Sequence, residues 1–261
     1  MDAEGLRAIQ RAHHFTFPFE NLDLHLGRSY SFALEHLVRK LVGRRRGGFC
    51  YELNLLMAAA LRALGFDVDL LEGQMRRREG GFGPPYDHMT LRVGLPGQDW
   101  LADVGNGETF QRPLPWDGRW TPQERGGDYR VVRQEGGQPG GDPFAASATA
   151  WQVEFRASEG AERELIYFFR SAPIPPQAFW PMCVFHTTSL KSPFTRGWIV
   201  TRPLDGGGRI TASRGLLMTT REGKMERRAI GSAGELETIL ANDFGMLPVG
   251  VPPTWFSRRE R

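Results

Sequence analysis

Cysteine is scarce in this chain: only Cys50 and Cys183 occur among its 261 residues. Two thiols, neither of them in a Cys-x-x-Cys pair, cannot form a disulfide framework, so we expect a reducing compartment. Long apolar runs are also missing, because the longest, residues 55–61, falls far short of the roughly 20 residues that cross a bilayer. The first residues lack the basic-then-apolar order of a secretory signal. These absences predict a cytoplasmic protein without a membrane partner.

An excess of one charge sign is missing too. The 33 Lys and Arg residues against 30 Asp and Glu give a net charge of +3, far from the basic stripe of a nucleic-acid-binding protein. We interpret the arginine runs at 44–46 and 76–78 as solvated faces, except for Arg46, which has a role in a motif described below, and we expect no nucleic-acid partner. The glycines at 206–208 lack a following Lys-Ser/Thr, which predicts a hairpin turn and not a phosphate-binding loop. His13, His14 and the two distant cysteines lack metal-ligand spacing, so no metal is expected.

Three stretches show helical periodicity. The first begins at Leu34, with Ser31 as the expected N-cap. The second and strongest runs from Cys50 to Leu64 with one apolar stripe, and Gly65 is the expected stop. The third runs from Leu236 toward Phe244. The helices are therefore concentrated in the first quarter of the chain, with one more near the end.

Alternating apolar and polar residues replace this helical period from about Val68 onward. Two such runs, His88–Val93 and Trp100–Val104, flank a turn at Pro96-Gly97. Further strands are predicted at Tyr129–Arg133, Trp151–Phe155, Leu165–Phe169, Gly197–Thr201 and Arg209–Ala212. Helices, then strands, then a short mixed tail indicate an α+β fold.

Cys50 is the candidate nucleophile. It follows Gly47-Gly48 and opens the predicted helix, where the positive end of the macrodipole favours a thiolate. It precedes Leu53 and Met57 by three and seven residues, so it faces the body of the protein, as a nucleophile in a cleft does. The alternative is a structural cysteine, since free cysteines are among the most buried residues.

The candidate base and its partner are His88 and Asp103. A two-residue turn at 96–97 sets Thr90 opposite Asp103 and leaves His88 on the same sheet face, at a diagonal spacing of roughly 7–8 Å. Pro-Gly favours a type II turn over the usual hairpin types, so a slipped register is the alternative. Alone, His88 suits a polar strand start and Asp103 a turn cap. Together with Cys50 they match a Cys–His–Asp catalytic arrangement.

The motifs around these residues resemble those of the arylamine N-acetyltransferases, over nearly the whole chain. The resemblance is carried by residues 17–23 (FPFENLD), 40–42 (KLV), 46–54 (RGGFCYELN), 88–91 (HMTL), 101–105 (LADVG), 188–189 (TS), 192–195 (SPFT) and 244–245 (FG). It implies a helical N-terminal domain carrying the nucleophile (1–83), a β-barrel domain carrying the histidine and aspartate (84–190), and a small α/β lid (191–261). Gly- and Pro-rich stretches near 79–85 and 134–143 are candidate boundaries or surface loops.

The same resemblance implies the reaction. Acetyl-CoA, the expected co-substrate, acetylates Cys50, and an arylamine, arylhydrazine or N-hydroxyarylamine then accepts the acetyl group. A thiolate attacks a thioester at little cost because one sulfur leaving group replaces another. His88 removes the proton of the weakly basic amine, and Asp103 orients the imidazole.

The resemblance also assigns supporting residues. Glu20 and Arg46 correspond to an ion pair beneath the site, and Ser192 and Phe194 to contacts with CoA. Tyr51, beside the nucleophile, is a candidate contact for the acceptor ring, and a core aromatic is an equal alternative.

The sequence departs from the family pattern at three positions. Asn106 stands where an aromatic residue commonly lines the acceptor pocket, so the acceptor range is open. Leu55 replaces a frequent glycine and Cys183 a usual asparagine, and we expect both to concern packing.

Three other functions remain as alternatives. A transglutaminase-like or papain-like thiol hydrolase uses the same three residue types in the same order. An amide synthase of this fold would close a macrolactam from a carrier-bound polyketide, and Asn106 slightly favours that product. A non-catalytic CoA-binding or interaction module would not need the intact trio. The oligomeric state is not indicated by the sequence.

Overall fold

The computed structural model describes residues 1–77, 80–107, 110–124, 126–134, 150–221 and 223–256. Its helices are α1 (Ala3–Thr16), α2 (Leu22–His25), α3 (Leu34–Leu37), α4 (Cys50–Ala63), α5 (Trp180–Thr188) and α6 (Ala233–Phe244). Its strands are β1 (Phe19–Glu20), β2 (Asp67–Met75), β3 (His88–Leu95), β4 (Gln98–Ala102), β5 (Leu114–Pro115), β6 (Thr121–Pro122), β7 (Asp128–Arg133), β8 (Ala150–Arg156), β9 (Arg163–Arg170), β10 (Ile199–Pro203), β11 (Arg209–Ser213), β12 (Leu216–Arg221) and β13 (Lys224–Ala229). The α+β prediction is confirmed.

The helix that begins at Cys50 is the best predicted element. It ends one residue before the C-cap Leu64, and Gly65 follows with φ of +89°, the left-handed conformation that glycine adopts freely. Its inner face is buried in the largest core cluster, with residues of α1, β2 and β3. The predicted helix at 236–244 is confirmed as α6, which Gly245 ends in the same way.

The helix expected from Leu34 is only partly formed. The N-cap is Ala33, not Ser31; the Ser31 hydroxyl instead accepts a hydrogen bond from the Ala33 amide (3.2 Å). After one α-helical turn the chain continues as a π-helix over Val38–Gly43. Because the wider turn changes the angular spacing of side chains, the apolar residues do not share one face. Leu34 and Val38 are 47% and 43% exposed.

An eight-stranded antiparallel sheet, in the order β5-β4-β3-β2-β9-β8-β7-β6, curves into a nearly closed barrel. Strand β3 is the strand of this sheet that packs most closely against α4. Met89 and Leu91 pack into the core cluster that α4 shares, whereas Thr90, on the opposite face, bonds to Tyr167 of β9 (3.2 Å). The first four residues of β3 are consequently buried on both faces of the sheet, whereas the alternating sequence predicts burial on one face only.

A second sheet, β1-β10-β11-β12-β13, connects the two ends of the chain, because β1 pairs with β10. The three glycines at 206–208 lie in the β10–β11 turn, as predicted. Strands β12 and β13 have no clear signal in the sequence. All six residues of Lys224–Ala229 are exposed and mostly polar, so this strand depends on its pairing with β12.

The proposed division after residue 83 stays a prediction. Strand β2 precedes that point in the chain, yet it pairs with β3 from Asp67↔Gly94 to Gly73↔His88 and therefore belongs to the barrel sheet. Most of the Gly- and Pro-rich stretch 134–143 lies outside the described residues, as do residues 78 and 79.

Neither a membrane-spanning helix nor a group of metal-binding side chains occurs in the described ranges. None of the helices there is long and apolar enough to span a membrane. In the same ranges, no three His, Cys, Asp or Glu side chains group as ligands for a metal ion.

Candidate active site

Cys50 is the first residue of α4 and is 3% exposed. Phe49, the N-cap, is extended, and the chain turns sharply into the helix after the two glycines. A Cβ on Gly47 would lie 2.0 Å from a backbone oxygen, and one on Gly48 would lie 2.8 Å from the Glu52 carboxylate. Neither position has room for a side chain, which explains why two glycines precede Cys50.

The hairpin register that brings His88 to Asp103 is also confirmed. Leu95 pairs with Gln98 across the turn, in which Gly97 has φ of +77°. With that register, the Nε2 atom of His88 lies 2.6 Å from the Oδ2 atom of Asp103, and both side chains are buried. The Pro-Gly sequence has not shifted the pairing.

Asp103 is held from its other side by a residue to which the sequence analysis gave no role. The Nδ2 atom of Asn54 donates to the Asp103 Oδ1 atom (3.1 Å) and to the Met89 carbonyl (2.6 Å), while its Oδ1 accepts from the Val104 amide (3.1 Å). The Gly105 amide donates to the same carboxylate oxygen (2.8 Å). Because Asn54 lies one helical turn after the candidate thiol, the i, i+4 spacing on α4 was a usable signal.

The chain segments that flank the pair converge on Cys50. A Cβ on Gly105 would lie 2.7 Å from the Cys50 Cα, so the backbone just after Asp103 contacts the helix start directly. On the other side, the Cys50 Sγ atom lies 4.0 Å from the carbonyl oxygen of Asp87, the residue before His88. The helix start and the hairpin thus form one buried site.

The electrostatics of the trio favour a neutral thiol beside a polarised imidazole. Burial, reinforced by the charges of Asp87 and Asp103, raises the pKa of the Cys50 thiol well above its usual value. This opposes the thiolate preference expected from the helix start alone. Burial alone would lower the pKa of His88, but the charge and hydrogen bond of Asp103 outweigh it and raise that pKa. The His88 imidazole therefore has an increased proton affinity.

A buried ion network lies beneath the helix start. Arg46 bonds to Glu20 (2.8 Å) and to Asp23 (2.9 Å), and Lys40 bonds to Asp23 (2.9 Å) and to both oxygens of Glu52 (2.8 and 2.9 Å). Burial raises the pKa of Glu52 to about 7, although the Lys40 charge opposes this shift. The expected Glu20–Arg46 pair is thus present, within a larger cluster that the sequence did not indicate.

Glu52 connects this network to the nucleophile. Its carboxylate accepts a hydrogen bond from the Phe49 amide (3.3 Å) at the start of α4, which is the N3 half of a capping box, since the Phe49 side chain has no acceptor for the other half. The neighbouring Arg44 and Arg45 are exposed, in agreement with a solvated charged face. Arg76 and Arg77 are also exposed, and Arg78 lies outside the described residues.

We expect Lys40→Met to destabilise the protein by about 3–5 kcal/mol, because it leaves the Asp23 and Glu52 carboxylates buried without their shared cation. The measurement is the free energy of unfolding in urea. Arg39→Met, one residue away on the exposed side, is the matched control and should change it by less than about 0.5 kcal/mol. Equal effects of the two substitutions would contradict a stabilising role for the network.

Tyr51 lies in the core. It is fully buried, its hydroxyl donates to the Tyr86 carbonyl (2.6 Å), and its ring packs near Phe49 and Phe179. Contact between Tyr51 and an acceptor stays a prediction.

Ser192 and Phe194 lie in the segment that follows α5, close to Phe49. Ser192 is fully buried, and its hydroxyl oxygen accepts from the Phe194 amide (3.2 Å). The Phe194 ring is partly exposed and its centre lies 6.2 Å from that of Phe49. The Phe194 carbonyl accepts from Asn21 (3.0 Å), which fixes this segment to the first motif of the chain.

Asn106 lines a cleft of about 680 Å³ at the end of the barrel. Its amide lies 3.6 Å from the sulfur of Met75, and Tyr129 and Phe155 lie across the same cleft. Two apolar residues, Leu165 and Ile166, also line it, together with three arginines and two glutamates: Arg76, Arg77, Arg163, Glu162 and Glu164. The surroundings of Asn106 are more polar than a ring-binding pocket is expected to be.

The other two departures from the family pattern lie in the core. Leu55 and Cys183 are both buried members of the cluster that surrounds α4. Their positions agree with a packing role.

Comparison with known proteins gives one consistent family. The family model described as N-acetyltransferase matches residues 2–249. An arylamine N-acetyltransferase of Mycolicibacterium smegmatis is 33% identical over 251 residues, 94% of this chain and 86% of that protein. The solved structure of the Salmonella typhimurium arylamine N-acetyltransferase superposes with a TM-score of 0.81 at 29% identity, over 94% of this chain and 84% of that one.

A third relative was solved with a ligand. The Mycobacterium marinum arylamine N-acetyltransferase in complex with CoA has a TM-score of 0.79 and 26% identity, over 94% of this chain and 87% of that one. The motifs, the fold and these likenesses agree over nearly the full length. The chain therefore belongs to the arylamine N-acetyltransferase family of acyltransferase enzymes.

Proposed function

We propose that the protein transfers the acetyl group of acetyl-CoA to arylamines, arylhydrazines or N-hydroxyarylamines through a thioester on Cys50. The observation that carries this proposal is the buried His88–Asp103 hydrogen bond (2.6 Å), next to a cysteine that opens a helix. Asp103 fixes the proton on Nε2 of the imidazole, which leaves Nδ1 to exchange a proton with the thiol.

In the first half-reaction His88 accepts the Cys50 proton, and the sulfur attacks the thioester carbonyl carbon. The bond from that carbon to the CoA sulfur breaks, and the imidazolium returns its proton to the departing CoA thiolate. Because the thiol pKa is raised by burial, the thiolate forms only together with the imidazolium that Asp103 stabilises. The product of this step is S-acetylated Cys50.

In the second half-reaction the amine nitrogen attacks the acetyl carbonyl carbon. His88 takes one amine proton and delivers it to the Cys50 sulfur as the carbon–sulfur bond breaks. The N-acetylated amine leaves and the free thiol is restored. The two half-reactions use one site in turn, which is a ping-pong mechanism.

The relative solved with CoA supports acetyl-CoA as the co-substrate. In this chain, Phe194 is the better candidate contact, since it is partly exposed beside Phe49 and so close to the nucleophile. The Ser192 hydroxyl is buried and already hydrogen-bonded to the Phe194 amide. Its proposed contribution to CoA binding is therefore indirect, by fixing the segment that contains Phe194.

Mixing the purified protein with acetyl-CoA and a panel of arylamines tests the proposal. We expect free CoA and acetylated amine to appear in equal amounts, and labelled CoA to exchange into acetyl-CoA without any acceptor. Acetyl-CoA hydrolysis independent of the amine would favour a thiol hydrolase. Exchange without transfer to any arylamine would favour an amide synthase with another acceptor.

The acceptor range depends on residue 106 if Asn106 reaches the acceptor. An amide needs a hydrogen-bonding partner once desolvated, so amines or hydrazides with a polar ring substituent should be preferred to plain anilines. Asn106→Phe should raise kcat/KM for apolar arylamines about two- to twelvefold, the size of an aromatic pair contact. Acetylation of Cys50 by acetyl-CoA should remain nearly unchanged. An equal change in the rates of both half-reactions would mean that residue 106 acts on the nucleophile or on CoA, and not on the acceptor.

A further inference from the structure

His186 is a second buried histidine near the nucleophile, and the mechanism above does not use it. It lies on α5 and is 4% exposed. Burial lowers its pKa to about 4, so the ring is neutral near pH 7. One ring nitrogen of a neutral imidazole is a donor and the other an acceptor.

The surroundings of His186 fix which nitrogen has the proton. Its Nδ1 atom lies 3.3 Å from the Ser192 hydroxyl oxygen. That oxygen already accepts a hydrogen bond from the Phe194 amide, so its own proton is available to Nδ1. If Ser192 donates to Nδ1, the ring proton is on Nε2, which is buried and makes no hydrogen bond of ordinary geometry among the described residues. Buried donors are rarely left unpaired, since an unmade hydrogen bond there is costly.

The unpaired donor faces the region beside the nucleophile. The backbone carbonyl of Asp87 interacts favourably with the protonated His186 ring, although the geometry is not that of an ordinary hydrogen bond. The same carbonyl oxygen lies 4.0 Å from the Cys50 sulfur. Aromatic rings flank His186, with centre-to-centre distances of 5.1 Å to Phe194 and 6.3 Å to Tyr51. A polar N–H between apolar walls is typical of a ligand site with a single orienting contact.

We infer that Nε2–H of His186 donates a hydrogen bond to the first amide carbonyl of the pantetheine arm when a CoA thioester is bound, an inference that rests on the proposed function. The reacting carbonyl must lie within about 3.5 Å of the Cys50 sulfur. His186 makes no contact with that sulfur, so its donor is one step farther along the substrate. In a CoA thioester the next acceptor is the amide that follows the two methylene carbons on sulfur.

The test compares two acyl donors in His186→Leu. Acetyl-CoA contains the pantetheine arm, whereas p-nitrophenyl acetate, an activated ester, does not. We expect the acetyl-CoA concentration that half-saturates Cys50 acylation to rise about two- to tenfold, the size of one neutral hydrogen bond. Acylation by p-nitrophenyl acetate should change less than about twofold. CoA itself, which binds without reacting, should lose the same two- to tenfold in affinity by calorimetric titration.

Two further variants control for packing. His13→Leu removes another buried neutral imidazole, whose ring packs on Phe17 of the opening segment, and should leave both donors unaffected. His186→Gln keeps an N–H donor and should recover part of the acetyl-CoA effect.

The outcomes separate this inference from the proposed function. Equal losses with both acyl donors would mean that His186 supports the nucleophile, and no loss with either would leave it a core histidine; both overturn the inference. A wild-type protein that binds CoA but never acetylates Cys50 would overturn the proposed function, while the CoA titration would still decide the role of His186.

Discussion

Cys50→Ala is expected to abolish acetyl transfer, with kcat/KM falling by at least about 10⁴-fold. The reason is chemical, since no other group at the start of α4 can attack a thioester. Incubation of the wild-type protein with acetyl-CoA and no acceptor should leave one acetyl group on the peptide of residues 47–62, which contains Cys50. Mass spectrometry of a tryptic digest measures this directly, and the variant should show no such adduct.

Cys183→Ala is the matched control for that substitution. Cys183 is also a buried free thiol, and burial, with a contribution from Glu52, raises its pKa to about 12. It lies inside α5 and in a separate peptide, residues 171–191, so labelling of the two cysteines is distinguished in one digest. We expect near-native turnover. Acetyl label on residues 171–191, or activity that survives Cys50→Ala, would remove the ping-pong mechanism.

Local chemistry explains why the centre of the site was predictable. The start of α4 was recognisable from two glycines that have no room for a side chain and from apolar helical spacing, although the first nine residues of the helix are buried on all sides and Leu64 is exposed. The His88–Asp103 contact follows from a two-residue turn and the period of a strand, so counting residues from Pro96-Gly97 was sufficient. His88 and Asp103 are 15 residues apart, and the glycine pair and the helical pattern both lie within residues 47–64, so each signal could be found within one short stretch of sequence.

The rest depends on contacts between distant segments. Lys40 meets Asp23 and Glu52 only after α2, the π-helix and α4 have packed together, and no spacing along the chain indicates that meeting. His186 lies near the site but on α5, 136 residues after Cys50 in the chain. Strand β13 is similar, because its exposed polar residues become a strand only by pairing with β12.

The two classes of contact have different functions. The local contacts bring the proposed reacting groups together. The distant contacts, such as the Lys40 ion pairs, compensate for the free-energy cost of burying charged side chains. Asn54 shows how the two connect, since one side chain on α4 bonds to the hairpin at Met89, Asp103 and Val104. The helix that begins at the Cys50 thiol therefore also fixes the Asp103 carboxylate, which we propose orients the base.

Asp103→Asn is expected to slow acylation by about 10⁴-fold, the size of the equivalent change in a serine protease triad. The geometry of this site predicts which way the new amide must turn. The Oδ1 position accepts from Asn54 (3.1 Å) and from the Gly105 amide (2.8 Å), so the amide oxygen stays there. The NH₂ group then faces Nε2 of His88 and donates to it, which moves the ring proton to Nδ1. An imidazole protonated on Nδ1 cannot accept the proton of Cys50.

A second readout separates this role from loss of structure. Asp103 raises the pKa of His88 against the effect of burial, so its loss lowers that pKa, and the acidic limb of the pH–rate profile for residual acylation should move to lower pH. Asp99→Asn is the control, because it makes the same change at a half-buried position of β4, the strand that leads to Asp103; Asp99 pairs with Arg92 (2.9 Å), and its substitution should leave rate and profile unchanged. Unfolding in urea checks that both variants are folded. Near-native acylation by Asp103→Asn, or a slow variant whose acidic limb stays in place, would mean that another group orients His88.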